Sequence, residues 1–223
     1  MRRAIGLAID RPRLQAGLSG YATPATQMVP RFIFGFNPEI PEMARDLREA
    51  RGLLRDAGLP KGFHVVLHAR QVLEEAALMV KRDLAEVGID VETRILSNND
   101  LFALKRKGCT FWLDRWSCAS GDASEFLDNF VHSADRARSL GTFNYGGYAN
   151  ADLDRAIETS SSTDEVDKRQ RMLQEIMATT VRDLVLLPLY SDQDAYAIEN
   201  ALQWRLRNDR HIKVAEIALA PQR

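Results

Sequence analysis

Little in this sequence leans toward one class of partner. Lys and Arg number 30 and Asp and Glu 31, so the 223 residues carry a formal net charge of −1. Such a balance gives no field to attract nucleic acid or an anionic membrane, and no run of like charge is long enough for an interaction tail. No apolar stretch approaches the ~20 residues a bilayer-spanning helix needs. Met1 leads through Arg2-Arg3 into an amphipathic pattern at Ile5, Ile9 and Leu14 with no signal-peptide pattern. Cysteine is scarce, with 2 in the chain. Cys109 and Cys118 are up to ~30 Å apart if the chain between them is extended, so both are expected as free thiols, Cys109 within a sheet and Cys118 on a loop. The 4 histidines, His64, His68, His132 and His211, form no ligand box. His64 and His68 share a strand face but have no acidic or thiol neighbour in sequence to complete a metal site. Nucleophile elbow, Walker loop, GxGxxG after a strand and HExxH are all missing. Asp152 and Asp154 read as a helix cap and a solvated face rather than paired catalytic acids. No cofactor and no metal are implied, and nothing requires an enzyme.

What is present is an apolar content of 45 %, enough for one large domain, or one domain and a small second piece. Helices are expected over about 2–9 and again after Asp10, where Pro12 takes an early helical position. Residues 17–41 are rich in Gly, Pro and Thr and read as a long irregular excursion holding Tyr21, Phe32, Phe34 and Phe36. Asp46 with Glu49 resembles a capping box, and Gly58 with Pro60 stops the helix it opens. A strand–helix–strand–helix–strand rhythm follows. Strands are expected at 63–69, 89–96 and 109–116, with helices at 73–87 and from Asn98 or Asn99 to Gly108. This alternation predicts a parallel α/β layer whose crossovers bring the strand ends to one edge. Helices are then predicted at 125–132, 152–159 and 163–184. Strands are predicted at 185–190, 195–199 and 212–219, with Arg205, Arg207 and Asp209 on an exposed polar strand.

The most informative stretch is Cys109-Thr110-Phe111-Trp112-Leu113-Asp114-Arg115-Trp116. It empties into the small polar loop Ser117-Cys118-Ala119-Ser120-Gly121-Asp122. Open α/β sheets bind ligands at such strand ends. Trp116, at the lip of the loop, either caps the core or floors a cleft.

Further segments align with one family. They are Arg2-Arg3-Ala4-Ile5-Gly6-Leu7-Ala8-Ile9-Asp10-Arg11, Ala85-Glu86-Val87-Gly88-Ile89-Asp90-Val91, the string Asn144-Tyr145-Gly146-Gly147-Tyr148-Ala149-Asn150-Ala151-Asp152-Leu153-Asp154, and Leu186-Leu187-Pro188-Leu189-Tyr190. In this order, with the Trp116 loop, they resemble the C-terminal half of the family 5 extracellular solute-binding proteins, the dipeptide, oligopeptide and nickel receptors of ABC importers. The resemblance implies an α/β fold: the second lobe of a periplasmic-binding-protein type II fold over 1–187, then an interlobe crossing and C-terminal strands of the first lobe over 188–223. It implies a fragment whose signal sequence and first lobe precede residue 1, a periplasmic or extracellular location, and membrane contact only through the permease or a lipid anchor outside the fragment. Its partners would be a peptide-like or other small solute and the importer permease, with no nucleic acid. Ligand contacts are expected from Trp116, Ser117, Cys118, Ala119, Ser120, Asp122, Tyr190, Tyr21 and Asn144, with a hinge at Leu187, Pro188 and Leu189. The family's cleft motif carries an Asp where Ala119 stands, and in peptide-binding members that Asp pairs with the ligand's amino terminus. Its absence counts against a free-amine peptide, since a buried ammonium needs a charged or multiply hydrogen-bonded partner. The rival reading is a self-contained cytoplasmic α/β enzyme or ligand-sensing domain with its site on the 117–122 loop.

Overall fold

Asp10 separates the first two helices. In the computed structural model, which describes residues 1–18, 20–207 and 211–220, α1 (Arg2–Ala8) ends just before it. Its carboxylate then accepts from Arg13 N at 2.9 Å to cap α2 (Arg11–Gly17). The excursion that follows contains β1 (Ala22–Pro24) and is closed from within by Gln27. That side chain, 1 % exposed, donates to Asn37 O at 2.8 Å and accepts from Asn37 N at 3.0 Å. Asp46 caps α3 (Leu47–Asp56) through Glu49 N at 2.8 Å. The reciprocal half of the box is missing because the Glu49 carboxylate pairs with Arg3.

A three-stranded parallel sheet forms the centre. β2 (Phe63–Arg70) is followed by α4 (Glu74–Ala85), β3 (Ile89–Leu96), α5 (Asn98–Arg106) and β4 (Trp112–Leu113). The strand order is β3-β2-β4, so the winding reverses beside β2. Phe63, Val65, Leu67 and Ala69 share one face with Ile89, Val91 and Ile95. They pack with Ala4, Leu7, Leu54, Ala77, Val80 and Leu84 of α1, α3 and α4 in one apolar core. The opposite face is polar, and there His64 meets Asp90 at 2.9 Å. Gly62 and Gly88 precede β2 and β3 with φ of +78° and +87°. They lie so close that a Cβ on Gly62 would strike the Gly88 carbonyl.

A second core gathers the middle of the chain. α6 (Ser124–Phe126) runs into a π-turn over Leu127–Val131; α7 (Ala151–Ser161) and α8 (Val166–Arg182) pack against it. Phe126, Leu127, Val131, Leu153, Ile157, Leu173 and Met177 are among its buried members. β5 (Tyr190–Asp192) returns antiparallel to β1, with Pro24 opposite Tyr190 and Ala22 opposite Asp192. β6 (Leu202–Gln203) and β7 (Ala218–Leu219) form a separate two-stranded piece. Among the described residues no helix is long and apolar enough to cross a membrane.

Several expectations are corrected. The strand expected over 109–116 is two residues long: only Trp112 and Leu113 pair, with His68 and Ala69. Beyond them Asp114 is drawn sideways to Lys105 and to Arg70. The strand expected over 185–190 is replaced by irregular chain up to Leu189, and pairing begins at Tyr190. Leu184 has φ of +51°, Pro188 offers no N–H, and the Pro188 carbonyl is held by Arg11. No strand forms over 195–199. The strand expected over 212–219 is a 3-10 turn at Val214–Glu216 and then β7. Residues 205–207 are irregular, and Asp209 lies outside the described residues. The helix expected over 163–184 starts only at Val166. The cap of α7 is Asn150, not Asp152, whose carboxylate instead faces Arg155.

Candidate functional site

A cleft of about 240 Å³ opens at the carboxyl ends of the parallel strands. Val72 and Leu73 line it just past β2, and Arg115 just past β4. Leu18 and Tyr21 come from the approach to β1, and Tyr190, Asp192, Gln193 and Asp194 from β5 and its continuation. The two strands whose ends border the cleft flank the point where the winding reverses, which is where open α/β sheets leave a crevice.

The local chemistry lies in the irregular chain just past β4. Asp114 accepts from Arg70 at 3.4 Å and pairs with Lys105. Arg115 faces the cleft and pairs with Asp192 at 2.9 Å. Gln193 fixes the far wall, its N–H donating to Tyr21 O at 2.8 Å and its amide to Thr23 Oγ1 at 3.0 Å. The Tyr190 phenol is pushed up to about 12, chiefly by burial and then by the Asp192 charge. It is therefore neutral over the physiological range and presents a ring face and a hydroxyl. Tyr21 is 57 % exposed on the same cleft.

The residues expected from the sequence divide into two sets. Tyr21 and Tyr190 meet at the cleft. Trp116 packs instead on Phe126 and Phe130, with ring centres 5.7 and 5.6 Å away, at the edge of the second core. Ser117, Ala119 and Ser120 are exposed. The Cys118 thiol donates to Asp122 O at 3.2 Å and is pushed up mainly by burial. Asp122 is gripped by Arg169. Burial raises its pKa, but the Arg169 hydrogen bonds and the Ser124 N–H outweigh this, and the carboxyl lies below its ordinary range. Both ends of the Asn144 amide close its own loop, donating to His132 O and Tyr148 O and accepting from Tyr148 N. Of the hinge set, Leu187 abuts Gly6, the Pro188 carbonyl accepts from Arg11 at 3.2 Å, and the Leu189 carbonyl accepts from Ala25 N at 3.2 Å. Among the described residues no three His, Cys, Asp or Glu side chains gather as a metal site.

Comparison with known proteins decides the family. The model for "Bacterial extracellular solute-binding proteins, family 5 Middle" matches residues 1–138. The chain belongs to the family 5 solute-binding proteins. It is 28 % identical over 182 residues to the glutathione-binding protein GsiB of Escherichia coli (strain K12), covering 77 % of this chain. It spans 35 % of that relative's length. HbpA2 from Haemophilus parasuis superposes with a TM-score of 0.82 at 19 % identity, over 99 % of this chain and 45 % of that one. The dipeptide binding protein from Pseudoalteromonas sp. SM9913 in complex with Met-Leu superposes with a TM-score of 0.80 at 18 % identity, over 98 % of this chain and 45 % of that one. The mixed α/β architecture is that of a lobe of the family 5 fold.

Sequence reasoning missed Arg115, Asp192 and the Val72–Leu73 turn of this family 5 chain. Arg115 was visible as the residue before Trp116, at a strand end where one of two neighbouring side chains must face the crevice. Asp192 carried no signal, because its place depends on β5 pairing with a strand 170 residues earlier, as Asp192 does with Ala22.

Proposed function

We propose that this chain is part of the substrate-binding component of an ABC importer, taking a peptide-like or other small solute and delivering it to the membrane permease. The observation that carries the reading is the cleft at the carboxyl ends of β2 and β4, with Tyr21, Tyr190 and Arg115 on its walls. At about 240 Å³ it lies below the ~300 Å³ at which small-molecule sites begin. It thus serves as one wall of a larger enclosure that closes about a hinge at Leu187, Pro188 and Leu189. Residues 1–187 then form the second lobe, and 188–223 the crossing and the strands that join the first. The protein works in the periplasm or outside the cell, binds without chemical conversion, and needs neither cofactor nor nucleic acid.

The test is calorimetry of the full-length protein with glutathione and a dipeptide library, beside small-angle scattering to detect closure. The expected result is saturable binding with compaction, weakened at least tenfold by Tyr190→Ala. Absence of binding and compaction across the library, with no solute released on denaturing the purified protein, overturns the reading.

A further inference from the structure

Cys109 stands in the chain that joins α5 to β4, between the exposed residues Gly108 and Thr110. Its sulfur lies 3.4 Å from Nδ1 of His68 on β2 and 3.6 Å from the Phe111 carbonyl. Both side chains are half-buried. The backbone holds them together, because His68 N donates to Phe111 O at 3.2 Å and His68 is paired with Trp112. The thiol thus has one proton and two acceptors, and one acceptor is a base. On the same polar face of the sheet, Arg94 holds the Glu92 carboxylate below its ordinary range, and the charges of His64 and His68 add to this. A positive His68 ring therefore has an acid on its own face. Cys118 has different neighbours. Its sulfur lies 3.2 Å from the Asp122 carbonyl and 3.7 Å from both Ser120 Oγ and the Glu125 carboxylate. Burial pushes that thiol up, and the Glu125 charge works the same way.

We propose that Cys109 is a modification site for small disulfides, with His68 as the base that frees its sulfur. Neither residue lines the cleft, and the inference stands independently of the receptor reading. A thiolate is the attacking form of cysteine, and a base within hydrogen-bond reach is what generates it. With His68 in its Nε2–H tautomer, the thiol proton passes to Nδ1. The Cys109 sulfur then bonds to one sulfur of the reagent. The reagent's S–S bond breaks, and its other half leaves as a thiolate that takes the proton back from His68. Cys109 is oxidised and the disulfide reduced, so no further oxidant enters. Both cysteines of the chain are free, and their sulfurs have separate neighbours. Cys109 therefore has no resolving thiol beside it, and the mixed disulfide lasts until an outside thiol removes it. The half-buried setting admits a small reagent at the turn.

The experiment treats the full-length protein with dithiodipyridine near neutral pH and follows the Cys109 and Cys118 peptides over time by mass spectrometry. In the wild type Cys109 is expected to gain one half of the reagent at least about tenfold faster than Cys118. Dithiothreitol is expected to remove the adduct. His68→Gln, which keeps a polar side chain on the same strand face, is expected to slow Cys109 by about tenfold or more while leaving the Cys118 rate unchanged. Equal rates at the two cysteines in the wild type, or Cys118 the faster, overturn the inference. That comparison needs no variant, so it decides the matter even if His68→Gln opens the fold and speeds both thiols. An unchanged Cys109 rate in a folded His68→Gln protein overturns it too, by showing that the imidazole only packs against the sulfur. An adduct that dithiothreitol leaves in place is no mixed disulfide and also ends the proposal.

Discussion

Arg169 holds both carboxylate oxygens of Asp122, at 2.5 and 3.1 Å, across 47 residues of sequence. The contact ties α8 to the polar loop after β4. It turns the one acid of that loop inward, while Ser124 N, at 2.9 Å, takes a further share of the same carboxylate.

Breaking the grip is expected to loosen the loop. Asp122→Asn or Arg169→Met should lower stability by about 1–2 kcal/mol, below the full value of a charged hydrogen bond because both groups are partly exposed. The Asp122 pKa is lowered in the fold. Its contribution is therefore complete above the unfolded value and is lost as pH falls below about 4. Urea melts at pH 7 and pH 3 should differ less in Asp122→Asn than in the wild type; an unchanged difference disproves the assignment.

His132 behaves in the opposite sense. It is 2 % exposed, and both ring nitrogens face acceptors: Nδ1 lies 2.7 Å from the Ser133 carbonyl and Nε2 2.9 Å from Glu158. Asp154 approaches at 3.9 Å, and Arg138 shares Glu158. Burial lowers the pKa, yet the Ser133 and Glu158 hydrogen bonds overcome it and the net shift is upward. The stabilisation is present below the unfolded value of about 6.5 and disappears as pH rises through the higher folded one. His132→Gln should flatten the stability profile as pH rises above the unfolded value of about 6.5. A wild-type imidazole that NMR finds titrating below 6.5 counts against the doubly donating ring.

Gly62 and Gly58 share φ of +78°, but only Gly62 faces a backbone carbonyl where a Cβ would go. Gly58→Ala carries the cost of the left-handed backbone alone, about 1 kcal/mol. Gly62→Ala must also push β2 away from the turn before β3, and its chemical-denaturation midpoint should fall well below that of Gly58→Ala. Equal midpoints would show that the two turns can separate freely.

The chain beyond β5 is expected to open first. β6 and β7 share two residue pairs, and Ile212, Val214 and Leu219 are exposed. Hydrogen exchange of the 223-residue chain should show residues 195–207 and 211–219 exchanging much faster than 65–113. Uniform protection in a monomer would contradict this.

The parallel layer was legible because its signals are local. Ile89 to Leu96 alternates cleanly, Asp46 marks a helix start by its spacing to Glu49, and Gly88 marks a turn. The tail was not legible, because apolar runs such as Val185-Leu186-Leu187 look like a strand in sequence while Pro188 and Arg11 hold them as irregular chain. The site was half legible. Tyr190 follows from the Leu-Pro-Leu-Tyr string, and Tyr21 from an aromatic in a long excursion. Trp116 drew attention as a large ring beside a loop, but its direction was fixed by Phe126 and Phe130, which no spacing reveals. Asp122 looked free because Arg169 lies two helices away.

The buried Arg11 guanidinium, 3 % exposed, reaches the carbonyls of Gly6 at 3.1 Å, Met43 at 3.3 Å and Pro188 at 3.2 Å. Three stretches of backbone are thus bolted to one rigid plate, and Pro188 is the last residue on it. The ring of Pro188 stiffens its own φ as well. Beyond it the Leu189 carbonyl is fastened to Ala25 N and Tyr190 is paired with Pro24, so the chain from Pro188 to Tyr190 is anchored residue by residue to the backbone around Arg11 and β1.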